Sequence, residues 1–232
     1  KSFLDKYDAQ VFQFALRRRL SHEPVSHIIG HRNFWKSSFI VNQSVLDPRP
    51  ETELIVQKVL DIPSNDLSLL DLGTGTGCLA ISIALERPDF SIYATDISFD
   101  SLRIAKANAK NLRAEVKFVQ SDWFSNIKHK FDIVISNPPY IRKVDLSSLP
   151  LSVQRFEPEI ALNAGEEGID CIKEIVMKLK NHLNPGGIGI FEIGTNQKEM
   201  IRKLFNSNGF RQVTFFVDLS GKDRVVCVKK DA

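Results

Sequence analysis

With 232 residues the chain can hold one full domain and an appendage, but not two domains of equal rank. Its 43% hydrophobic and 25% charged residues, with 16 Phe to fill a core, exclude a disordered or fibrous class; a formal charge of +3 allows an acidic or phosphate-bearing partner without demanding nucleic acid. No apolar run reaches the length of a membrane span and no signal-peptide pattern opens the chain, while the three isolated cysteines Cys78, Cys171 and Cys227 argue against a disulfide framework or zinc site and for a reducing, cytosolic compartment.

The chain opens at Lys1 in helix-like sequence, so a preceding N-terminal portion is expected. Phe3, Leu4, Tyr7, Val11, Phe14 and Leu20 follow roughly a helical period, and Arg17-Arg18-Arg19 complement the dipole of its last turn. Residues 33–41 read as an extended or hairpin segment. Pro48-Arg49-Pro50 then forces an extended backbone ahead of a helix over 51–60.

From Leu67 strand and helix alternate: strands over 68–72, 91–95, 116–120, 131–136 and 187–193, and helices over 75–86, 99–111, 169–182 and 197–208. Such alternation predicts an α/β, Rossmann-like and mostly parallel sheet with helices on both faces. The last strands, 212–217 and 224–228, are joined through Ser220-Gly221 by too few residues for a parallel crossover, so they must pair antiparallel. A parallel sheet ending in an antiparallel hairpin is the class I methyltransferase arrangement.

Asp71-Leu72-Gly73-Thr74-Gly75-Thr76-Gly77 falls where the first strand turns into its helix, and its glycines let backbone approach a ligand closely. Asp96, at the end of the second strand, can accept both ribose hydroxyls of a cofactor, which suits adenosylmethionine or NAD equally. Ser98 can cap the helix that follows. Asp122 and Trp123, past the third strand, can accept an adenine amino group and line its ring pocket.

The fourth strand separates methyl transfer from hydride transfer. It is followed by Asn137-Pro138-Pro139-Tyr140, in which two prolines stiffen an extended backbone. The Asn137 side-chain oxygen and the Pro138 carbonyl can then act as fixed acceptors for a planar –NH₂ group, holding its face toward an electrophilic methyl. Tyr140 can lie over that group. The catalytic candidates are therefore Asn137, Pro138 and Tyr140, and Pro139 joins them in holding the substrate.

These motifs together resemble the HemK, or PrmC, family of release-factor glutamine methyltransferases. The resemblance runs from about Glu23 to Val228 and takes in Pro48-Arg49-Pro50-Glu51-Thr52-Glu53, Ser121-Asp122-Trp123-Phe124, Arg155-Phe156-Glu157-Pro158, Glu192-Ile193-Gly194 and Gly221-Lys222-Asp223-Arg224. It implies that S-adenosylmethionine is the cofactor and S-adenosylhomocysteine the product, held by residues 71–77 (Asp71, Gly73, Thr74, Gly75, Thr76, Gly77) with Asp96, Asp122, Trp123 and Asn137. It further implies a cytoplasmic enzyme of translation termination, whose acceptor is the glutamine of the Gly-Gly-Gln loop in class I peptide-chain release factors. Residues 1–22 would be the last part of an N-terminal helical docking domain, 23–50 a hairpin linker, and 51–232 the catalytic domain.

His27 and Asp47 depart from the family pattern, which has an aromatic and an aliphatic there. Two other acceptors remain open, a ribosomal-protein glutamine and an exocyclic base amine of nucleic acid. Direct nucleic-acid binding is not expected, nor is a metal: His22, His27 and His31 have no carboxylate or Cys at ligand spacing. Arg49, Glu51 and Glu53 suit the mouth of a site or a helix cap equally, and Glu192 either the cleft or a structural hydrogen bond.

Overall fold

The computed structural model describes residues 6–231. Helix α1 (Lys6–Leu20) and the short α2 (Val25–Ile29) precede a hairpin of β1 (His31–Phe34) and β2 (Ser37–Ile40). The expected beginning of the first helix, with Phe3 and Leu4, lies outside the described residues. A single 3₁₀ turn, Pro50–Thr52, leads into α3 (Glu53–Leu60).

The main sheet then forms from β3 (Ser68–Leu72), β4 (Ser91–Asp96), β5 (Lys117–Gln120), β6 (Phe131–Ser136), β7 (Leu183–Glu192), β8 (Gln212–Val217) and β9 (Asp223–Lys229). Between them lie α4 (Cys78–Glu86), α5 (Phe99–Leu112), α6 (Leu151–Phe156), α7 (Asp170–His182) and α8 (Lys198–Ser207). The strand order is β5-β4-β3-β6-β7-β9-β8, parallel from β5 to β7. Only β9 runs against the rest, inserted between β7 and β8. The chain is thus the expected α/β sheet with an antiparallel ending.

Side chains alternate across this sheet with the strand period of two. Leu69, Ile133, Ile135, Ile190 and Val225 face one core with α3 and α4, while Leu70, Val134, Phe191 and Val226 face a second with α7 and α8. Such double coverage explains the nearly unbroken apolar runs in the central strands.

The first hairpin is packed into the first of these cores through Phe34 and Phe39. Asn108 of α5 receives the Ile40 N–H at 2.7 Å and donates to the Ile40 carbonyl at 3.1 Å. Trp35 donates from its backbone to Glu53 at 2.7 Å and from its indole to Glu86 at 2.9 Å.

Boundary differences have local causes. α4 begins at Cys78 rather than Gly75, because Gly75 and Gly77 take left-handed φ of 54° and 81° that a helix cannot continue. β7 starts at Leu183, four residues early, and pairs with β6 across an irregularity. Between β6 and α7 the sequence carried no periodic signal, and α6 and two 3₁₀ turns, Lys143–Ser148 and Glu159–Ala161, occupy it. No helix among the described residues is long and apolar enough to cross a membrane.

Candidate active site

Strand order reverses between β3, which leads outward to β4 and β5, and β6, which leads the other way to β7. Ligands of open α/β sheets bind outside the carboxyl ends of the strands at such a reversal. A cavity of about 540 Å³ opens there, lined among others by Gly73, Gly75, Asp96, Asp122, Trp123, Asn137 and Pro139. Its size falls in the range of roughly 300–1,000 Å³ typical of small-molecule sites.

The glycine loop is stitched to the strand ends around it. Thr74 N–H donates to the Thr95 carbonyl at 2.8 Å, and Ser136 Oγ to the Leu72 carbonyl at 2.7 Å. At Gly75 an added side chain would meet no protein atom and would stand where the loop faces the cavity. At Gly77 it would strike Ile81 at 2.8 Å and Ala105 at 3.2 Å. One glycine therefore leaves room for a ligand, and the other lets the loop close on α4 and α5.

Asp96 accepts from Gly75 N–H with one carboxylate oxygen and from Ser98 N–H with the other, both at 2.9 Å, and the Ile97 N–H also favours its charge. Burial holds its pKa above the usual carboxylate range against those two bonds. A carboxylate offers about four acceptor directions, so lone pairs remain for ribose hydroxyls. Ser98, not Asp96, caps α5, accepting from Ser101 N–H at 3.2 Å.

Trp123 sits at φ 45°, held by Ser121 Oγ donating to its carbonyl at 2.9 Å, and its ring packs on Gly73. Asp122 is exposed at the rim.

Not every predicted cofactor residue reaches this cavity. Asp71, Thr74, Thr76 and Gly77 lie behind its wall. Asp71 is buried, accepts from Thr74 Oγ1 at 2.6 Å with one oxygen and has no hydrogen-bond partner on the other. Desolvation raises its pKa to about 7.

Asn137 stands where the large cavity meets a smaller one of about 130 Å³, which Pro138, Tyr140, Leu46, Arg49 and Val153 help to line. Its Nδ2 donates to Thr52 Oγ1 at 3.1 Å, and Thr52 Oγ1 donates to Glu192 Oε2 at 2.6 Å. Among the described residues no donor takes up Asn137 Oδ1 or the Pro138 carbonyl. The Tyr140 phenol lies beside Glu192, whose pKa burial raises to about 7. Burial and that carboxylate push the Tyr140 phenol well above its ordinary value.

Several supporting residues were invisible to sequence reasoning. Gln197 donates to the Tyr140 carbonyl at 3.0 Å and the Gly168 carbonyl at 2.8 Å, pinning the end of the Asn137–Tyr140 run. Asn108 donates to the Thr76 carbonyl at 2.9 Å, so one amide joins the hairpin to the glycine loop. Its signal was a polar residue on the apolar stripe of α5, beside Leu102, Ala105 and Ala109.

Arg49 Nη2 donates to both oxygens of the buried Glu157 at 2.6 Å, which places Arg49 at the smaller cavity. Glu53 instead anchors the hairpin, and Glu51 is exposed in the turn. Among the described residues no group of three His, Cys, Asp or Glu side chains converges as for a metal ion.

A glycine loop, an acid ending the second strand and Asn-Pro-Pro-Tyr after the fourth, gathered at a topological switch point, define a class I S-adenosylmethionine-dependent methyltransferase fold. The family model described as Methyltransferase small domain matches residues 43–151. A release factor glutamine methyltransferase of Shewanella oneidensis is 41% identical over 216 residues, covering 92% of this chain and 75% of that protein. The chain belongs to the release factor glutamine methyltransferase family.

A longer relative, the bifunctional methyltransferase of Rickettsia typhi, is 35% identical over 96% of this chain, which spans 48% of that protein's length. Among solved structures, the release factor-specific protein-(glutamine-N5) methyltransferase of Alicyclobacillus acidocaldarius is 26% identical. It superposes with a TM-score of 0.50 over 80% of this chain and 94% of that one.

Proposed function

We propose that this chain methylates the side-chain amide nitrogen of the glutamine in the Gly-Gly-Gln loop of class I peptide-chain release factors, using S-adenosylmethionine. The observation that carries the reading is Asn137, set between two cavities with its N–H end tied back to Thr52 and its oxygen left to accept. An exposed acceptor at that junction suits a donor-rich –NH₂ group. The names of the relatives 41% and 42% identical to this chain supply the rest.

The residues fit the cofactor in two respects. The open space at Gly75 admits a ligand against bare backbone, and Asp96 keeps free lone pairs beside it. Gly73, Gly75, Asp96, Asp122 and Trp123 would hold it, while Asp71, Thr74, Thr76 and Gly77 brace the loop from behind. Bound there, S-adenosylmethionine supplies an electrophilic methyl on a positively charged sulfur and leaves as S-adenosylhomocysteine.

The protein's own task is to make a poor nucleophile competent. An amide nitrogen lends its electron pair to the carbonyl, and acceptors on both its N–H bonds keep charge on nitrogen as the new bond forms. Asn137 Oδ1 and the Pro138 carbonyl serve as those acceptors. Tyr140 covers the group, and burial beside Glu192 keeps its phenol protonated. The nitrogen uses its own pair to bond the methyl and then gives up one proton to water.

Residues 51–232 carry this chemistry in the proposed division, and 23–50 link them to a docking helix within 1–22. Val11, Phe12 and Phe14 on α1 expose apolar surface suited to docking. A release factor substrate also places the enzyme in the cytoplasm.

The test incubates the chain with labelled cofactor and three acceptors: a release factor, its loop Gln→Ala variant and a DNA duplex. Label on the intact release factor alone is expected. Label on the variant as strong as on the intact protein would overturn the reading in favour of another glutamine, and label on DNA with none on the release factor would overturn it in favour of a base amine.

A further inference from the structure

The two ends of an asparagine amide have nearly the same shape and opposite hydrogen-bonding character. Asn137 can serve a donor-rich substrate only if its oxygen, not its nitrogen, faces outward. Turned over, it would set N–H against N–H. Something must fix its direction.

We propose that Thr52 and Glu192 are positioning residues that set the orientation of the Asn137 amide through a directed chain of hydrogen bonds. The proposal rests on the glutamine-amide reading above. Both residues are buried, at 3% and 1% exposure, and they come from segments far apart in sequence: the turn before α3 and the end of β7. An ionised carboxylate can only accept, so at 2.6 Å from Glu192 Oε2 the Thr52 hydroxyl must point its hydrogen that way. Only lone pairs then face Asn137, and at 3.1 Å these can be met only by its N–H₂ end. The oxygen is left for the substrate. No bond is made or broken along this chain; it transmits direction alone.

The charge state of Glu192 sets the polarity. Burial, with Glu51 from the turn, opposes its ionisation, while the Thr52 hydroxyl, Arg224 of β9 and the neighbouring Tyr140 phenol favour it; its charge in turn raises the pKa of the Cys78 thiol at the start of α4. Once protonated, Glu192 can donate to Thr52, whose hydrogen is then free to turn toward Asn137 and favour the reversed amide. Turnover should therefore fall on the acid side of about pH 7 as Glu192 takes up its proton.

Steady-state methylation by Thr52→Val, Thr52→Ser and Glu192→Gln decides the matter, with cofactor affinity measured by calorimetry. Thr52→Val should bind S-adenosylmethionine within about twofold of the parent and lose about 10²-fold in kcat, the scale of one preorganised polar contact. Thr52→Ser, which keeps the hydroxyl, should recover most of the rate. Glu192→Gln should lower kcat and abolish the acid limb. Near-normal kcat in Thr52→Val, or a Thr52→Ser as slow as Thr52→Val, would overturn the proposal.

A second measurement needs no substrate. In ¹⁵N-labelled protein the Asn137 side-chain N–H₂ signals, identified by their loss in Asn137→Asp, should show a nuclear Overhauser contact to the Thr52 methyl and slowed exchange that Thr52→Val removes. Freely exchanging Asn137 N–H₂ hydrogens in the parent would overturn the chain of bonds. A parent that methylates no release factor, with these signals protected, would instead count against the substrate reading.

Discussion

Asp71 shows how a single buried group can work against the fold while serving the loop above it. Its carboxylate is fully enclosed, one oxygen has no partner, and its pKa rises to about 7 from an ordinary 3.8. A folded-state pKa raised in this way costs stability as pH climbs from the unfolded value, with the full penalty present above about 7. Asp71→Asn keeps an oxygen to accept from Thr74 and removes the charge. It should therefore raise the melting temperature of the ligand-free protein most at alkaline pH, and the gain should shrink toward zero as pH approaches 4, where the parent carboxyl is already neutral in the fold. Thermal melts of both proteins across that range check this; a gain independent of pH would show that charge is not the cause.

Elements are held in place here by contacts that their own sequences announce unevenly. The glycine loop was legible as a turn, because three glycines at alternate positions between a strand and a helix have few other uses. Their division of labour was not. Only the structure shows that Gly77 abuts Ile81 and Ala105 while Gly75 faces open space. Gly77→Ala meets both the left-handed φ of 81° and a contact at 2.8 Å, so urea unfolding should show a loss of about 1–3 kcal/mol. Gly75→Ala pays only the backbone strain, and its larger effect should fall on cofactor affinity. Equal stability losses in the two variants would contradict this assignment.

At the scale of the whole molecule, alternating strands and helices made the sheet predictable, and the short β8–β9 connection gave its antiparallel end. The insertion of β9 between β7 and β8 was beyond reach, since local pattern carries no information on which edge a returning strand joins. The same limit hid the contacts that assemble the site. Arg49 and Glu157 lie 108 residues apart, Thr52 and Glu192 140 apart, and nothing local to either partner names the other.

His27 and Asp47, the two departures from the family pattern, prove to be electrostatic neighbours. Ser26 donates to Asp47 at 2.9 Å, and burial holds the His27 pKa below its usual 6.5 despite the attraction of Asp47. A lowered histidine pKa means that stability present above 6.5 is lost as pH falls through the folded-state value. His27→Phe should remove that loss, so its stability relative to the parent should rise between neutral pH and about pH 5 in denaturant melts. A difference that stays constant over that interval would show that His27 does not titrate in this way.

All three scales converge on the placement of one acceptor, the Asn137 oxygen, at the junction of two cavities. Mass-spectrometric mapping of a release factor after reaction with the parent chain or Asn137→Ala tests this most directly. The account predicts a single methyl on the side-chain nitrogen of the Gly-Gly-Gln glutamine with the parent, and an initial rate lower by about 10²-fold or more with Asn137→Ala. A methyl found on any other group, or an Asn137→Ala variant that modifies the same glutamine at nearly the parent rate, would contradict it.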